Sequence, residues 1–296
     1  MKTTKYYLAA LAAFTMWGFF SLVLKPLHHY PSIDILFYRV FLCAVLMASI
    51  ILLFKRTTLQ ENLALFKALP PQAKRKSIWL NLGGGIFLTA NWFSFIYVMN
   101  HISIKATSLA YLVCPILTTL LAHFILKEKL NKTQWLAIGL SLTGCAVLSY
   151  ANLMDMMFSL IIGLSYALYL VSQRENTGFD KLLVLSFHII FSAILLAPFY
   201  PAYSAPIPTA ANFYFYIGLI AVAFTILPLF LNLYALKGIN SSTVGMLLNI
   251  NPLIAFVLAI VIFKEQIDLT QIIAYGIIFI SVLVFNLHLF SDKNED

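Results

Sequence analysis

The sequence is poor in charge, and above all in acidic side chains. Only 10% of its 296 residues are charged, and Asp and Glu together number 11. Soluble domains carry about 25% charged residues, so a water-soluble globular domain is excluded. Hydrophobic residues make up 61% of the chain, which indicates that lipid is its main solvent.

The acidic residues are also absent from the middle of every apolar stretch, because each Asp and Glu falls in or beside a predicted loop. Proton-driven carriers usually place a carboxylate in mid-membrane. Coupling to protons through Asp or Glu is therefore not expected.

Cysteine and catalytic motifs are scarce as well. Cys43, Cys114 and Cys145 lie inside separate apolar stretches without CxxC spacing, which excludes a disulfide framework and a zinc site. The chain has neither the GxxxxGK[ST] loop that binds nucleotide phosphates nor an HExxH zinc motif. We therefore predict no enzyme activity, no cofactor and no metal ion.

What the chain has in abundance is apolar runs of about 20 residues, the length that crosses a bilayer. These runs predict an all-α integral membrane protein with ten transmembrane helices, near residues 6–24, 33–54, 78–98, 103–126, 133–151, 153–172, 182–200, 213–235, 241–263 and 270–290.

The basic residues between these runs predict the topology. The side that bears Lys25, Lys105 and Lys264 has few positive charges, and the side that holds both termini has most of them. The positive-inside rule then places both termini in the cytoplasm, in the inner (plasma) membrane. A formal charge of +8 dispersed in this way does not indicate nucleic-acid binding. We interpret the basic run Lys74-Arg75-Lys76 as a topology anchor; attraction of anionic membrane lipid is the alternative.

The second half of the sequence repeats the first with an offset of 137 residues. Pro115 then falls on Pro252, and Lys127-Glu128 falls on Lys264-Glu265. Five spans per half is an odd number, so the second repeat must enter the membrane from the opposite side. We predict two inverted five-helix repeats, 1–151 and 152–296, with the Lys-Glu pairs as anchors at span ends.

Polar side chains inside a span normally face a partner or a wet cavity. Arg39 can hold a substrate carboxylate or phosphate, or it can pair with Asp34 or Asp155; the sequence leaves both open. Asn91 and Trp92 in the third span, with Trp17 in the first, favour the wall of a cavity for a small amphipathic solute over core packing alone.

The paired prolines predict two interrupted helices. Each removes one backbone hydrogen bond and frees the carbonyl four residues earlier, which belongs to Tyr111 or Leu248. Asn249 and Asn251 stand beside Pro252. We interpret Pro115 and Pro252 as hinges and place Tyr111, Asn249 and Asn251 on the substrate pathway; a kink that only serves helix packing is the alternative.

Two further patterns leave alternatives open. His188 is a near-neutral titrating group well inside a span; we include it in the pathway, although a hydrogen-bonded packing role is the commoner one. Ala137, Ser141 and Cys145 form a stripe of small residues, which permits close helix approach either within the chain or in a homodimer.

The chain resembles the drug/metabolite transporter superfamily, specifically its EamA-type, RarD-like branch, over nearly its full length. The residues that carry the resemblance are Trp17-Gly18, Lys25, Arg39, Asn91-Trp92, Pro115, Glu128 and Gln134-Trp135. The chain departs from the pattern at Ser21, where RarD-like chains commonly have proline, and at Tyr166, where a tryptophan equivalent to Trp17 would be expected.

The resemblance implies alternating access between two inverted repeats and movement of a small organic metabolite, such as an amino acid, or of a drug, without ATP hydrolysis. The alternative is a flippase for lipid or lipid-linked substrates, for which a lateral apolar groove would be expected. Neither the substrate nor the direction of transport follows from the sequence.

Overall fold

The computed structural model describes residues 3–102, 104–149, 153–264 and 268–287, and within these ranges the chain is helical and contains no strand. The α-helices are α1 Thr4–Gly18, α2 Phe20–Leu24, α3 Ser32–Phe54, α4 Arg56–Ala68, α5 Pro71–His101, α6 Ile104–Ile125, α7 Lys132–Ser149, α8 Leu153–Glu175, α9 Lys181–Leu196, α10 Tyr200–Tyr203, α11 Ala211–Ala221, α12 Leu227–Ala235, α13 Ser241–Leu247, α14 Ile250–Val261 and α15 Leu269–Phe285.

Most of the chain is long apolar helix, as the composition predicts. Among the described residues, seven helical stretches are long and apolar enough to cross a membrane, and Leu109–Ile125 and Leu269–Phe285 are shorter apolar helices. Many large hydrophobic side chains point outward, among them Phe54, Phe215 and Leu269. An apolar exterior of this kind suits a hydrocarbon environment.

The polar connection after α3 differs from the expected loop. It folds into α4, none of whose residues is buried. The following helix α5 then starts at Pro71 rather than near residue 78 and runs for 31 residues, about 46 Å at 1.5 Å per residue. Proline suits the first helical position because its missing N–H has no partner there.

The stripe of small residues packs within the chain. Helix α7 lies against α15, the Oγ atoms of Ser141 and Ser281 are 2.7 Å apart, and a Cβ placed on Gly144 would come within 2.6 Å of Ile278. Ala137 and Cys145 are buried. Of the two interpretations of this stripe, the structure realises the intrachain one; a homodimer remains a prediction and would need another surface.

Helices α6 and α13 also meet closely. A Cβ on Gly245 would lie 2.7 Å from the Cβ of Thr118. Thr119 Oγ1 donates to the carbonyl of Ser242 at 3.4 Å. The absence of a side chain at Gly245 is what permits this approach.

The two prolines do not act alike, which corrects the expectation of two matching breaks. Helix α6 continues through Pro115. In the second half the helix stops at Leu247 and restarts at Ile250, so the interruption precedes Pro252. The carbonyl of Leu248 accepts the N–H of Asn251 at 3.1 Å, and it is therefore not exposed.

Each half has a lysine with left-handed backbone after its fourth span, Lys127 at φ 58° and Lys264 at φ 56°. The neighbouring Glu128 does more than anchor its own helix end, because its carboxylate accepts the N–H groups of Ser241 and Ser242 at 2.8 and 3.0 Å. Its counterpart Glu265 lies outside the described residues.

Candidate functional site

A cavity of about 130 Å³ lies among helices of both halves. It is lined by Trp17, Phe20, Leu24, Ser32, Ile35, Leu36, Arg39, Asn91, Trp92, Phe95, Ile96, Met99, Tyr111, Tyr166, Phe224, Thr225, Leu229 and Asn251. The space exceeds what one water molecule needs by about tenfold, and most of its wall is aromatic or aliphatic. It suits a small solute with an apolar body.

Six of the eight side chains placed on the pathway from the sequence come together here. They are Trp17, Arg39, Asn91, Trp92, Tyr111 and Asn251. They come from α1, α3, α5, α6 and α14, so the cavity depends on the packing of the whole bundle. Their role in transport stays a prediction.

Arg39 lies seven residues into α3, about two turns from its start. Its guanidinium carbon is 5.1 Å from the centre of the Trp92 ring, and its Nε is buried without a hydrogen-bond partner. The carboxylate of Asp34 accepts the N–H of Ala205 instead, at 3.2 and 3.3 Å. Among the described residues Arg39 forms no ion pair with Asp34 or Asp155, so that alternative is not realised.

Trp17 is fixed by a backbone carbonyl from the other half. Its Nε1–H donates to the carbonyl of Phe224 at 2.9 Å. Phe224 lies in a π-helical turn, Val222–Ile226, and Pro228 has no N–H with which to satisfy a carbonyl four residues earlier. The carbonyl of Phe224 is thus free to accept from the indole.

Asn91 joins α5 to α8. Its Nδ2 donates to the carbonyl of Ile162 at 3.0 Å and lies 3.3 Å from Ser165 Oγ. The amide is 5% exposed. Much of its hydrogen-bonding capacity therefore holds the cavity wall in place.

Tyr166 was not placed in the site from the sequence, yet it lines the cavity. Its ring meets Trp17 edge-on at 6.0 Å, and its hydroxyl accepts from Asn232 Nδ2 at 2.7 Å. Tyr169 stacks behind it at 5.7 Å. These packed rings form the floor of the cavity.

His188 and Asn249 are the two expected pathway residues that do not line the cavity. His188 is fully buried in α9, with Nδ1 3.5 Å from the hydroxyl of Tyr169 and Nε2 without a partner. Asn249 lies in the break between α13 and α14, fully buried, and neither its Oδ1 nor its Nδ2 has a partner.

The cavity is not central along the bundle axis. Leu24, Ser32 and Met99, which stand at or near helix ends, extend it to the end of the bundle that carries the loop 25–31 (the 25–31 end). At the opposite end, which carries the loop 236–240 (the 236–240 end), the halves are in contact.

The contacts at the 236–240 end are polar and aromatic. The rings of Tyr6 and Tyr234 pack at a tilt of 40° with their centres 5.1 Å apart, and the Tyr6 ring leaves no room for a side chain at Gly238. Arg174 donates to the carbonyl of Leu236. Together with the Glu128 cap on α13, these contacts close this end.

The arrangement offers no centre for metal chemistry. Among the residues that the structure describes, no three His, Cys, Asp or Glu side chains form a group able to hold a metal ion. The site can bind a solute through one guanidinium, two amides, the hydroxyls of Ser32 and Thr225, and aromatic rings.

A family model, the EamA-like transporter family, matches the chain twice, over residues 4–150 and 153–287. Similar curated proteins include the uncharacterized transporter YojE of Bacillus subtilis, 25% identical with 96% of this chain and 94% of that protein covered. A transporter of Vibrio cholerae is 27% identical with 94% and 91% covered, and Protein RarD of Escherichia coli is 23% identical with 96% and 94% covered.

A solved structure, described only as the crystal structure of a protein, superposes with a TM-score of 0.74 at 14% identity. The alignment covers 96% of this chain and 98% of that one. At this identity the likeness shows a common fold over the full length.

Proposed function

This chain belongs to the EamA-like transporter family and is a multi-pass membrane protein, and we propose that it is a secondary transporter. It moves a small organic metabolite across the inner membrane by alternating access between two inverted five-helix repeats, 1–151 and 152–296. Both termini lie in the cytoplasm, so the 236–240 end faces the cytoplasm and the 25–31 end faces outward.

The observation that carries this proposal is one cavity, lined from both repeats, that extends to the 25–31 end and stops at Tyr166 and Tyr169. Alternating access requires a cavity between the two repeats that is accessible from one side at a time. In the proposed topology this conformation faces outward.

The inward-facing state needs the 236–240 end to open. The carboxylate of Glu128 in the first repeat must then release the N–H groups of Ser241 and Ser242 in the second. The break between α13 and α14, next to Pro252, supplies a place where the second repeat can bend. His188, on the closed side, would join the pathway only in that state.

The flippase alternative gains no support from the family match or from the cavity. An arginine beside Trp92 and a floor of tyrosines fit a solute held between the repeats. We therefore propose the transporter alone and not the flippase.

Thiol labelling tests alternating access directly. The described cysteines Cys43, Cys114 and Cys145 are all buried, so replacing them with Ala or Ser leaves a silent background. Single cysteines are then placed at Ser32, in the cavity mouth, and at Tyr169, behind its floor. A membrane-impermeant maleimide added outside should label Ser32→Cys and leave Tyr169→Cys unlabelled, whereas maleimide on the inside should reach Tyr169→Cys slowly, as the protein turns inward.

Leu63→Cys on the exposed helix α4 serves as the control for labelling from the inside. Flux of a metabolite mixture from proteoliposomes, followed by mass spectrometry, gives the second readout. The proposal fails if Ser32→Cys reacts only from the cytoplasmic side, or if Arg39→Gln with Asn91→Ala leaves every flux unchanged in a protein that still folds.

A further inference from the structure

We infer, on the basis of the proposed transport function, that the substrate is an organic anion with a flat apolar body and one carboxylate or sulfonate group. The amino acid suggested by family resemblance carries an ammonium group as well. The cavity has an evident partner for the acid group and a poor one for the amine.

The cavity wall favours a negatively charged ligand. Arg39 is the only charged side chain among the described lining residues, and no Asp or Glu is among them. Arg39 is partly buried and has no ion-pair partner among the described residues. A cation held in a mostly apolar wall without a counter-charge is destabilising, and a bound anion would reduce that cost. A cation would raise it.

The guanidinium of Arg39 is placed to hold an acid group. The guanidinium carbon of Arg39 lies 5.1 Å from the centre of the Trp92 ring. Its buried Nε has no hydrogen-bond acceptor. A planar acid group can take two parallel N–H bonds from one guanidinium. The terminal nitrogens of Arg39 are not among the buried atoms, and the side chain lines the cavity, so an acid group in the cavity can accept from the two terminal NH2 groups.

The other polar groups of the wall are uncharged. Trp17 donates to the carbonyl of Phe224, and Asn91 uses its Nδ2 to donate to the carbonyl of Ile162. The oxygens of the two amides and the hydroxyls of Ser32 and Thr225 can accept from an ammonium, but none of these wall groups carries the negative charge that would balance it. The hydroxyls and the N–H groups of Asn251 can also donate to an anion.

The rest of the wall defines the body of the ligand. It presents the rings of Trp17, Phe20, Trp92, Phe95, Tyr111, Tyr166 and Phe224. Flat rings pack favourably against such walls in stacked or edge-on contacts. An aryl or similarly flat acid is the best match.

An anionic substrate also determines the favoured direction. The inside of a bacterial membrane is negative, and one charge moving through 100 mV gains about 2.3 kcal/mol. That corresponds to a concentration ratio of about fiftyfold. Export of the anion therefore needs no coupled proton, which agrees with the absence of Asp and Glu from the middle of the spans.

The test compares three probes that share one phenyl ring: 2-phenylethanesulfonate, L-phenylalanine and 2-phenylethylamine. Each is loaded into proteoliposomes, and efflux is measured against protein-free liposomes, with an inside-negative potential set by potassium and valinomycin. We expect the sulfonate to leave at least tenfold faster than the other two, and faster still as the potential rises.

Four variants locate the effect. Arg39→Gln should reduce sulfonate efflux at least tenfold, and Arg39→Lys should keep part of it. Asn251→Asp should move the preference toward L-phenylalanine by adding a carboxylate to the wall. Lys25→Gln changes an exposed cation that is not on the cavity wall and should leave efflux within twofold of the unmodified protein.

The inference is overturned if the amine or the amino acid leaves faster than the sulfonate, or if Arg39→Gln moves the sulfonate normally. Efflux of none of the three probes would overturn it as well. That last result does not touch the proposed function, which the labelling of Ser32→Cys and Tyr169→Cys decides without any substrate. If Arg39→Gln does not fold, Arg39→Lys and Asn251→Asp give the same comparison.

Discussion

The fourth spans of the two halves carry proline at matching positions but are built differently. In α6, Thr118 and Thr119 each donate to the carbonyl four residues earlier at 2.8 Å, and the helix continues through Pro115. The matching positions in the second half are Ala255 and Phe256, which have no hydroxyl. There the helix is interrupted between Leu247 and Ile250.

The difference teaches that a proline alone does not make a hinge. Proline is tolerated inside a membrane helix where neighbouring hydroxyls and packed helices supply other hydrogen bonds. Thr118 and Thr119 bond to the carbonyls of Cys114 and Pro115 rather than to that of Tyr111, which Pro115 frees, so they brace the helix after the proline without replacing the lost bond. The break in the second half brings the amide of Asn251 to the cavity. The comparison predicts one rigid fourth span and one that bends.

The largest expected effect comes from separating the two fourth spans. Gly245→Leu forces a side chain against Thr118, since even a Cβ would lie only 2.7 Å away. Overpacking of this size costs about 3 kcal/mol, and we expect a large fall in melting temperature together with loss of transport. Gly276→Leu is the matched control, because nothing lies within 4 Å of a Cβ there. Equal melting temperatures for the two variants would refute the close crossing.

The second largest effect is expected at Glu128, which caps helix α13 from the first half. Glu128→Gln keeps the shape but removes the charge that accepts from Ser241 and Ser242. Hydrogen bonds to charged groups contribute about 1.5–3 kcal/mol, so the 236–240 end should open more often. Maleimide labelling of Tyr169→Cys from the cytoplasmic side should rise severalfold. Glu61→Gln on the surface of α4 is the control, and a rise of the same size there would contradict the assignment.

A smaller effect is expected from the prolines themselves. Pro252→Ala restores an N–H that can bond to the carbonyl of Leu248 and so straighten the break. We expect flux to fall about tenfold, which is about 1.4 kcal/mol in the barrier. Pro115→Ala should change flux by less than about twofold, because α6 is already continuous. Equal losses in transport assays would show that both prolines act as hinges.

The smallest effect concerns Asn249, whose amide has no partner. The matching residue in the first half is Leu112, so Asn249→Leu makes the halves alike. Removing an unpaired buried amide should stabilise the fold by up to about 1 kcal/mol, seen as a small rise in melting temperature. Asn232→Leu, which loses a bond to Tyr166, should lower it. A lower melting temperature for Asn249→Leu would show that its amide bonds in another conformation.

Hydropathy and polarity predicted much of this architecture. Residues such as Arg39, Asn91 and Trp17 stand out in apolar runs, and six such positions do gather around one cavity. These positions can be found from the sequence because polar groups inside hydrocarbon must find partners or water. What they bind cannot follow from the same rule.

Other features gave a weak signal or none. Aromatic residues are 15% of the chain, so Tyr166 and Phe224 do not stand out from their neighbours. Pro228 was the available sign that the carbonyl of Phe224 is free. Helix α4 is too polar for a hydropathy scan, and the matching prolines Pro115 and Pro252 gave no sign that one helix is continuous and the other interrupted.

The left-handed lysines have a consequence for how the two repeats end their fourth spans. Lys127 and Lys264 share one backbone conformation, 58° and 56° in φ, although the proposed topology places them in different compartments. A turn governed by its own helix end is indifferent to the compartment it faces. The same turn can therefore end the fourth span of both proposed repeats, whichever direction each of them crosses the membrane.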